Sequence, residues 1–125
     1  MEERDSDASG ARRGDVEVVR ALFAAWRAGD AAAADELIAD GFVFTSPQDD
    51  HIDRVGYFHR CFFTSDRFVV HTLLQVLAFD DGQVFALYEY ELAGGSRYRN
   101  CEVLTVRCGQ VLEVQVFFGG RVQAS

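Results

Sequence analysis

Four side chains that could do acid–base chemistry fall on two neighbouring predicted strands. Tyr88 and Tyr90 precede the glycine pair Gly94-Gly95, and Asn100 and Glu102 follow it. Because alternate residues of a strand share a face, a hairpin closed at the glycines brings all four together. An ionised glutamate among aromatic rings is costly unless it is paired, so we expect Glu102 to have a raised pKa or a bonded partner. The cluster predicts either a proton donor in a pocket or a buried structural network.

A second candidate for chemistry is a histidine on a predicted third helix, whose apolar face is formed by Val55, Phe58, His59 and Phe62. An imidazole on that face could act as a general base that points into a cavity. The alternative is a hydrogen-bonded core residue. His71 lies on a long strand where the alternation leaves its face undecided.

The run from Asp49 to Asp53 concentrates residues of the types that bind metals. Adjacent residues rarely converge on one ion, and carboxylates just before a helix are ordinary caps that favour its dipole. The sequence therefore predicts caps here, with no metal site. The preceding strand ends at Ser46 and Pro47. This would put Ser46 and Asp49 at the mouth of a cavity, where Asp49 is the alternative base.

The elements that must position these residues follow from periodicity and turn signals. Asp15 is predicted to cap a first helix, and Asp30, after Gly29, to cap a second that ends near Ala39. Four β-prone runs follow, separated by hairpin signals, at residues 68–79, 83–93, 97–107 and 110–118. Helices first and an antiparallel meander afterwards predict an α+β domain over residues 15–120. Residues 1–14 are predicted to be a disordered tail, and residues 121–125 a C-terminal tail.

Composition and charge exclude several classes of protein. The chain of 125 residues carries a net charge of −8, and its twelve basic residues are all arginine. Such a field repels phosphate, so we expect no nucleic-acid partner. No apolar run approaches the roughly 20 residues that cross a bilayer, so no membrane association is predicted. Three cysteines without CxxC spacing favour a reducing cytoplasm.

The face opposite the acidic cluster also carries apolar side chains, which are Phe85, Leu87, Val103 and Phe117. Apolar groups on a nominally solvated sheet face indicate that a second subunit covers part of it. A homodimer through the outer sheet face is therefore predicted.

The order of elements resembles the nuclear transport factor 2-like superfamily, which includes ketosteroid isomerase and the SnoaL-type polyketide cyclases. The resemblance covers about residues 15–119 and is carried by the segments Phe23–Pro47, Asp53–Arg60 and Gly109–Phe118. It implies a cone-shaped, curved, mostly antiparallel sheet wrapped around N-terminal helices and enclosing a pocket. It also implies a homodimer packed sheet to sheet.

Of the catalytic positions of ketosteroid isomerase, only one has a carboxyl group in this chain. Glu102 corresponds to the oxyanion-hole acid and Phe118 to a cavity tryptophan, whereas Ser46 replaces the base carboxylate and Leu22 the catalytic tyrosine. Steroid isomerisation by that mechanism is therefore not expected.

Together these features predict a pocket protein of the SnoaL-like type that acts on a small apolar carbonyl or hydroxyl compound. It would be an isomerase, cyclase, lyase or hydrolase without metal or cofactor. The predicted catalytic residues are Glu102, His59 and Asp49, and the predicted pocket residues are Trp26, Phe44, Ser46, Phe62, Tyr88, Tyr90, Asn100 and Phe118. The alternative is a non-catalytic, dimeric ligand-binding or scaffold domain.

Overall fold

Six strands form one sheet, in the order β2-β1-β6-β5-β4-β3, in this computed structural model. It describes the backbone of residues 2–79 and 81–122, and side chains from residue 14 onward within those ranges. Every neighbouring pair is antiparallel except β1 and β6, which are parallel. The elements are α1 (Glu2–Ala28), α2 (Ala31–Leu37), β1 (Ile38–Thr45), β2 (Ile52–Asp53), α3 (Arg54–Arg60), a 3₁₀ helix (Phe62–Arg67), β3 (Phe68–Phe79), β4 (Gln83–Leu92), β5 (Arg97–Arg107) and β6 (Gln110–Arg121).

The helix α1 packs against the inner face of β3, β4, β5 and β6. Its buried residues Val19, Leu22 and Phe23 recur at helical spacing, as the amphipathic pattern predicts. They meet inner-face residues such as Ala86 and Leu104 in one core. The predicted α+β fold, with helices packed on one face of a curved sheet, is confirmed.

The predicted start of α2 is confirmed, whereas the predicted start of α1 is wrong. Asp30 caps α2 as predicted, because its carboxylate accepts a hydrogen bond from the Ala33 amide at 3.1 Å. The backbone of α1 is helical from Glu2, so Asp15 lies inside the helix and does not cap it. That the first fourteen residues contribute nothing to the fold stays a prediction. Met1 and residues 123–125 of the predicted tails lie outside the described residues.

The predicted apolar face of α3 is wrong. Asp53 caps this helix by accepting from the Gly56 amide at 2.9 Å, and the helix is only seven residues long. Val55 is 74% exposed, whereas Tyr57 is buried. Val55 and His59 therefore lie outside the core, although Phe58 is half-buried and packs against Phe62 across Cys61.

The hairpin between β4 and β5 has the predicted register. Glu89 lies opposite Arg99, and Glu91 lies opposite Arg97. Arg99 donates to the Glu89 carboxylate at 2.9 Å, and Arg97 donates to its other oxygen. The hydrogen bond from Arg99, with Arg97 beside it, lowers the pKa of Glu89. This outer face is therefore charged at one end, as the sequence predicts.

Two irregularities in β3 decide which way His71 points. The pairing with β4 shifts between Phe68 and Val70 and again between Leu73 and Gln75. Each shift inserts one extra residue, so the alternation reverses twice along the strand. His71 lines the inner face between these shifts, opposite Tyr90.

A glycine near the end of β6 allows a close approach between strands. A Cβ on Gly119 would lie 2.3 Å from the carbonyl oxygen of Arg99. The Gly119 amide donates to the Asn100 side-chain oxygen at 3.2 Å. Any other residue at this position would push β6 away from β5 and from Asn100.

We therefore expect Gly119→Ala to lower the free energy of unfolding by about 1–3 kcal/mol, as overpacked sites do. Urea unfolding followed by circular dichroism measures this change. Gly94→Ala is the control, because a Cβ there meets nothing within 4 Å. Equal stability of the two variants would contradict this account of the close approach.

Candidate functional site

A cavity of about 420 Å³ lies between the inner face of the sheet and the helices. Aromatic and aliphatic side chains form most of its wall. Its exposed lining residues, which define the mouth, are Gln48, Arg60, Arg67 and Phe118. The innermost polar groups, which define the floor, are Tyr57, Tyr88, Asn100 and Glu102.

The carboxyl group of Glu102 is the chemical centre of the floor. Tyr88 donates its hydroxyl to Glu102 Oε2 at 2.7 Å. Burial raises the pKa of Glu102 to about 7, although the hydrogen bond from Tyr88 opposes this shift. Burial, and then the nearby Glu102, raises the pKa of Tyr88, so the phenol stays protonated. The floor thus holds a carboxyl group whose charge changes near neutral pH.

Tyr57 adds a second phenol to the floor. It reaches the cavity from α3 with its ring packed edge-on against Phe42, 5.0 Å between centroids. Burial raises its pKa, and the charge of Glu102 raises it further. Tyr57 is therefore a neutral hydrogen-bond donor beside the same carboxyl group.

Asn100 has a fixed orientation next to this group. Its Nδ2 donates to the Tyr90 hydroxyl at 3.4 Å, and its Oδ1 accepts from the Gly119 amide. The residue is 6% exposed. The predicted cluster of Tyr88, Tyr90, Asn100 and Glu102 therefore forms on one face of the sheet.

His71 is the basic group of the cavity. Its ring stacks on Tyr88 with 4.9 Å between centroids and packs against Trp26 at 5.0 Å. Burial lowers the pKa of His71 to about 4, and the positive charge of Arg27 adds to this effect. Its buried Nδ1 has no hydrogen-bond partner within the described part of the chain. Near neutral pH the imidazole is therefore uncharged and able to accept a proton.

Asp49 lies at the rim of the cavity but is already bonded. Arg60 Nη1 lies 3.3 Å from Asp49 Oδ1, and the Cys61 thiol lies 3.8 Å from Oδ2. Burial raises the pKa of Cys61 to about 11, and Asp49 adds to the shift. The Asp49 and Ser46 backbones also exchange two hydrogen bonds, which hold the loop before β2.

Nine of the eleven predicted site residues line the cavity. These are Glu102, Asp49, Trp26, Phe44, Ser46, Tyr88, Tyr90, Asn100 and Phe118. His59 does not line it, because it lies on the exposed side of the short α3. Phe62 is fully buried and packs against Phe58 in the core, with 5.3 Å between ring centroids. The predicted face was thus wrong for His59, whereas Phe62 faces inward as predicted but belongs to the core and not to the cavity wall.

The polar cavity residues that the sequence reasoning missed include Tyr57, Arg60, Arg67 and His71. Among these residues, only His71 is singled out by the sequence, since it lies on a strand where the alternation leaves its face undecided. The other three lie on α3 and the 3₁₀ helix, where the predicted helical face directed attention to His59 instead.

Two negative findings hold for the described residues. They contain no group of three or more His, Cys, Asp or Glu side chains arranged to hold a metal ion. None of their helices is both long and apolar enough to span a bilayer.

The family model described as a SnoaL-like domain matches residues 19–114. The chain belongs to this family. The match includes α1 from Val19, the whole of α2 and α3, and the strands up to Val114 in β6. It therefore covers every element that lines the cavity. A search of the curated proteins finds none that matches the chain.

Solved structures with the same fold come from several sources. Bal32a, from a soil-derived mobile gene cassette, is 26% identical, with a TM-score of 0.72 over 87% of this chain and 92% of its own. An epoxide hydrolase of M. tuberculosis is 15% identical, with a TM-score of 0.70 over 86% and 84%. Wild-type IdmH of Streptomyces antibioticus, a candidate polyketide cyclase, is 20% identical, with a TM-score of 0.64 over 84% and 91%.

The raised pKa of Glu102 has a consequence for stability. Its value of about 7 exceeds the ordinary 4.5, so folding favours the protonated form. The resulting stabilisation is fully present below pH 4.5 and is lost as pH rises through about 7. Over this range, the free energy of unfolding of the wild type should fall by roughly 2–3 kcal/mol relative to that of Glu102→Gln.

Urea unfolding of both proteins at several pH values measures this difference. His71 affects both proteins alike and cancels in the comparison. Glu36→Gln, which removes an exposed carboxyl group of α2, should keep the pH dependence of the wild type. Parallel curves for wild type and Glu102→Gln would mean that Glu102 is solvated.

Proposed function

We propose that this SnoaL-like protein binds a small apolar carbonyl or hydroxyl compound and catalyses an acid–base reaction on it. The buried Glu102 carboxyl group, bonded to Tyr88 at the floor of the cavity, carries the proposal. The reaction would be an isomerisation, cyclisation, elimination or hydrolysis that needs proton transfer.

The size and wall of the cavity support a compound of one or two rings. Its volume of about 420 Å³ lies within the roughly 300–1,000 Å³ typical of ligand pockets. Trp26, Phe44, Phe68 and Phe118 supply flat apolar surfaces. The Tyr57 hydroxyl group is available to orient a ligand oxygen, whereas the Tyr88 hydroxyl group donates its proton to Glu102.

The two titratable groups are matched to opposite roles. The pKa of Glu102 is raised to about 7, so that it can donate a proton or hydrogen bond. The pKa of His71 is lowered to about 4, so the imidazole is uncharged above that pH and its ring nitrogen holds a lone pair for a substrate proton. Between these values both groups are uncharged, and an acid and a base coexist in one cavity. Environments that separate two pKa values in this way are typical of acid–base catalysts.

A carbonyl substrate would react in two steps. The imidazole of His71 removes a proton from the carbon beside the carbonyl, and the electron pair of that C–H bond forms the enol. The carbonyl oxygen receives a hydrogen bond or proton from Glu102. The imidazolium of His71 then returns a proton to carbon, and the oxygen returns to Glu102 any proton that it received, which regenerates both groups. Donors fixed at the floor would stabilise the oxygen as its charge develops.

A second candidate is binding without turnover. Leu22 and Ser46, at two positions where the sequence resemblance implies catalytic groups, have no acid or base. Asp49 is bonded to Arg60 and Cys61 and is not free to act as a base. In that case the same cavity would store or sense a ligand.

Exchange of the α-protons of 2-tetralone in D₂O distinguishes the two candidates. This bicyclic ketone can enolise without any co-reactant, and nuclear magnetic resonance follows the loss of its α-protons. We expect wild type to accelerate the exchange, with a bell-shaped pH profile whose limbs lie near pH 4 and pH 7. Glu102→Gln and His71→Asn should each lower the rate at least about 100-fold.

The matched controls are Glu36→Gln and His59→Asn, which change the same residue types at exposed positions. Both should retain the rate. Binding of 2-naphthol, which mimics the enol, without any accelerated exchange of 2-tetralone would favour the storage or sensing candidate. Failure of both compounds to bind would overturn the proposal.

We also propose a homodimer through the outer sheet face. Phe117 of β6 is 50% exposed there, and Leu77 and Phe79 of β3, on the far side of β5 and β4, are 55% and 44% exposed. Leu77 lies opposite Phe85, so this apolar surface continues across β4 to Val103 of β5. Exposed apolar surface of this kind marks an interaction site.

The three free cysteines support a reducing compartment such as the cytoplasm.

Sedimentation at tens of micromolar protein should report a dimer. Phe117→Glu should dissociate it, because an unpaired charge would then lie inside the interface. Val55→Glu is the matched control, since Val55 is equally apolar and 74% exposed but lies on α3. A monomeric wild type, or equal effects of the two variants, would rule this interface out.

A further inference from the structure

The mouth of the cavity carries positive charge in a chain that is strongly negative overall. Arg60 and Arg67 both line the cavity and are exposed to solvent, while the chain has a net charge of −8. The charge of Arg27 also reaches the cavity, because it acts on His71. Arginines of α3 and the 3₁₀ helix thus lie at one opening, and the charge of Arg27 from α1 adds to their positive potential.

The carboxylates of the cavity do not neutralise this charge completely. Only Asp49 and Glu102 line it, within the described residues. Asp49 is bonded to Arg60, and Glu102 is bonded to Tyr88 at the floor. Arg67 forms no ion pair with any carboxylate of residues 14–79 or 81–122. No carboxylate of those residues therefore neutralises its guanidinium group, which can bind an anion from solution.

The cavity thus has three zones, which are a floor that can donate hydrogen bonds, an aromatic middle and a cationic mouth. Arginine matches the planar geometry of a carboxylate better than any other cation, since it donates two parallel hydrogen bonds. Resting on the proposed function, we infer that the ligand is an apolar carboxylate. Its carboxylate is bound by Arg67 at the mouth, and its carbonyl or hydroxyl group meets Glu102 and Tyr88 at the floor.

Asp49 would then limit how strongly Arg60, the other arginine at the mouth, binds the ligand. While Arg60 is bonded to Asp49, the Asp49 carboxylate partly neutralises the positive charge of its guanidinium group. An anionic ligand must compete with Asp49 for Arg60, and it is also repelled by the aspartate. Removal of the Asp49 charge should therefore favour the ligand, which is the opposite of what a catalytic Asp49 would give.

Two probes of equal shape test the inference: 6-hydroxy-2-naphthoate and its neutral isostere 6-hydroxy-2-naphthamide. Both carry a hydroxyl group for the floor, and their fluorescence reports binding in a titration at pH 6. We expect wild type to bind the naphthoate about tenfold more tightly than the amide, as hydrogen bonds between charged groups allow. Arg67→Gln should remove this preference and leave the affinity for the amide unchanged.

Two further variants sharpen the test. Arg107→Gln removes an equal charge from an exposed position that does not line the cavity, and it should keep the preference. Asp49→Asn should increase the preference. Folding of each variant is checked by circular dichroism, which is expected to be unchanged for these exposed or rim positions.

Equal affinities of the two probes for wild type would overturn the inference, as would a preference that survives in Arg67→Gln or is lost in Arg107→Gln. Failure of the proposed function gives a different pattern. If the floor does not recognise the hydroxyl group, Glu102→Gln leaves both affinities unchanged while the dependence on Arg67 persists. Absence of binding by both probes would overturn the inference and the proposed function together.

Discussion

The burial of one carboxyl group is the constraint on which the rest of the cavity depends. A glutamate on the inner face of a sheet loses its hydration, and a buried polar group needs a partner. Glu102 has Tyr88 as its partner, and Tyr88 is in turn held by stacking on His71. An inner face filled with aliphatic side chains would leave the carboxyl group without this support. The polar character of the floor therefore depends on this residue and its partner Tyr88.

Much of the sheet could be predicted because its signals are local. Glycine-containing turns separate the last four strands, and alternation along β4 and β5 fixes which residues meet across the hairpin. The opposite charges of Glu89 and Arg99 select the observed register. The cluster around Glu102 follows from that register without further information. Four of the eleven predicted site residues thus lie on a single hairpin.

The remaining site residues could not be predicted because their positions depend on irregular backbone. The predicted face of α3 assumes that the helix continues through Phe62, but the helix ends at Arg60 and a 3₁₀ helix follows. His59 therefore points to solvent. Arg60 and Arg67 come to one opening only through the tertiary fold, and no spacing in the sequence signals their convergence. Proteins with this fold share as little as 15% identity, so the fold tolerates varied side chains while the chemistry depends on a few cavity positions.

The two extra residues in β3 also affect how the molecule meets its neighbours. β3 is one edge of the sheet and β2 the other. Unpaired edge strands can recruit further strands from other molecules, which leads to aggregation. The register shifts beside Val69 and Leu74 interrupt the row of amide and carbonyl groups that an incoming strand would need. The opposite edge, β2, has only two residues. Both edges of the sheet thus offer few uninterrupted backbone groups to an incoming strand.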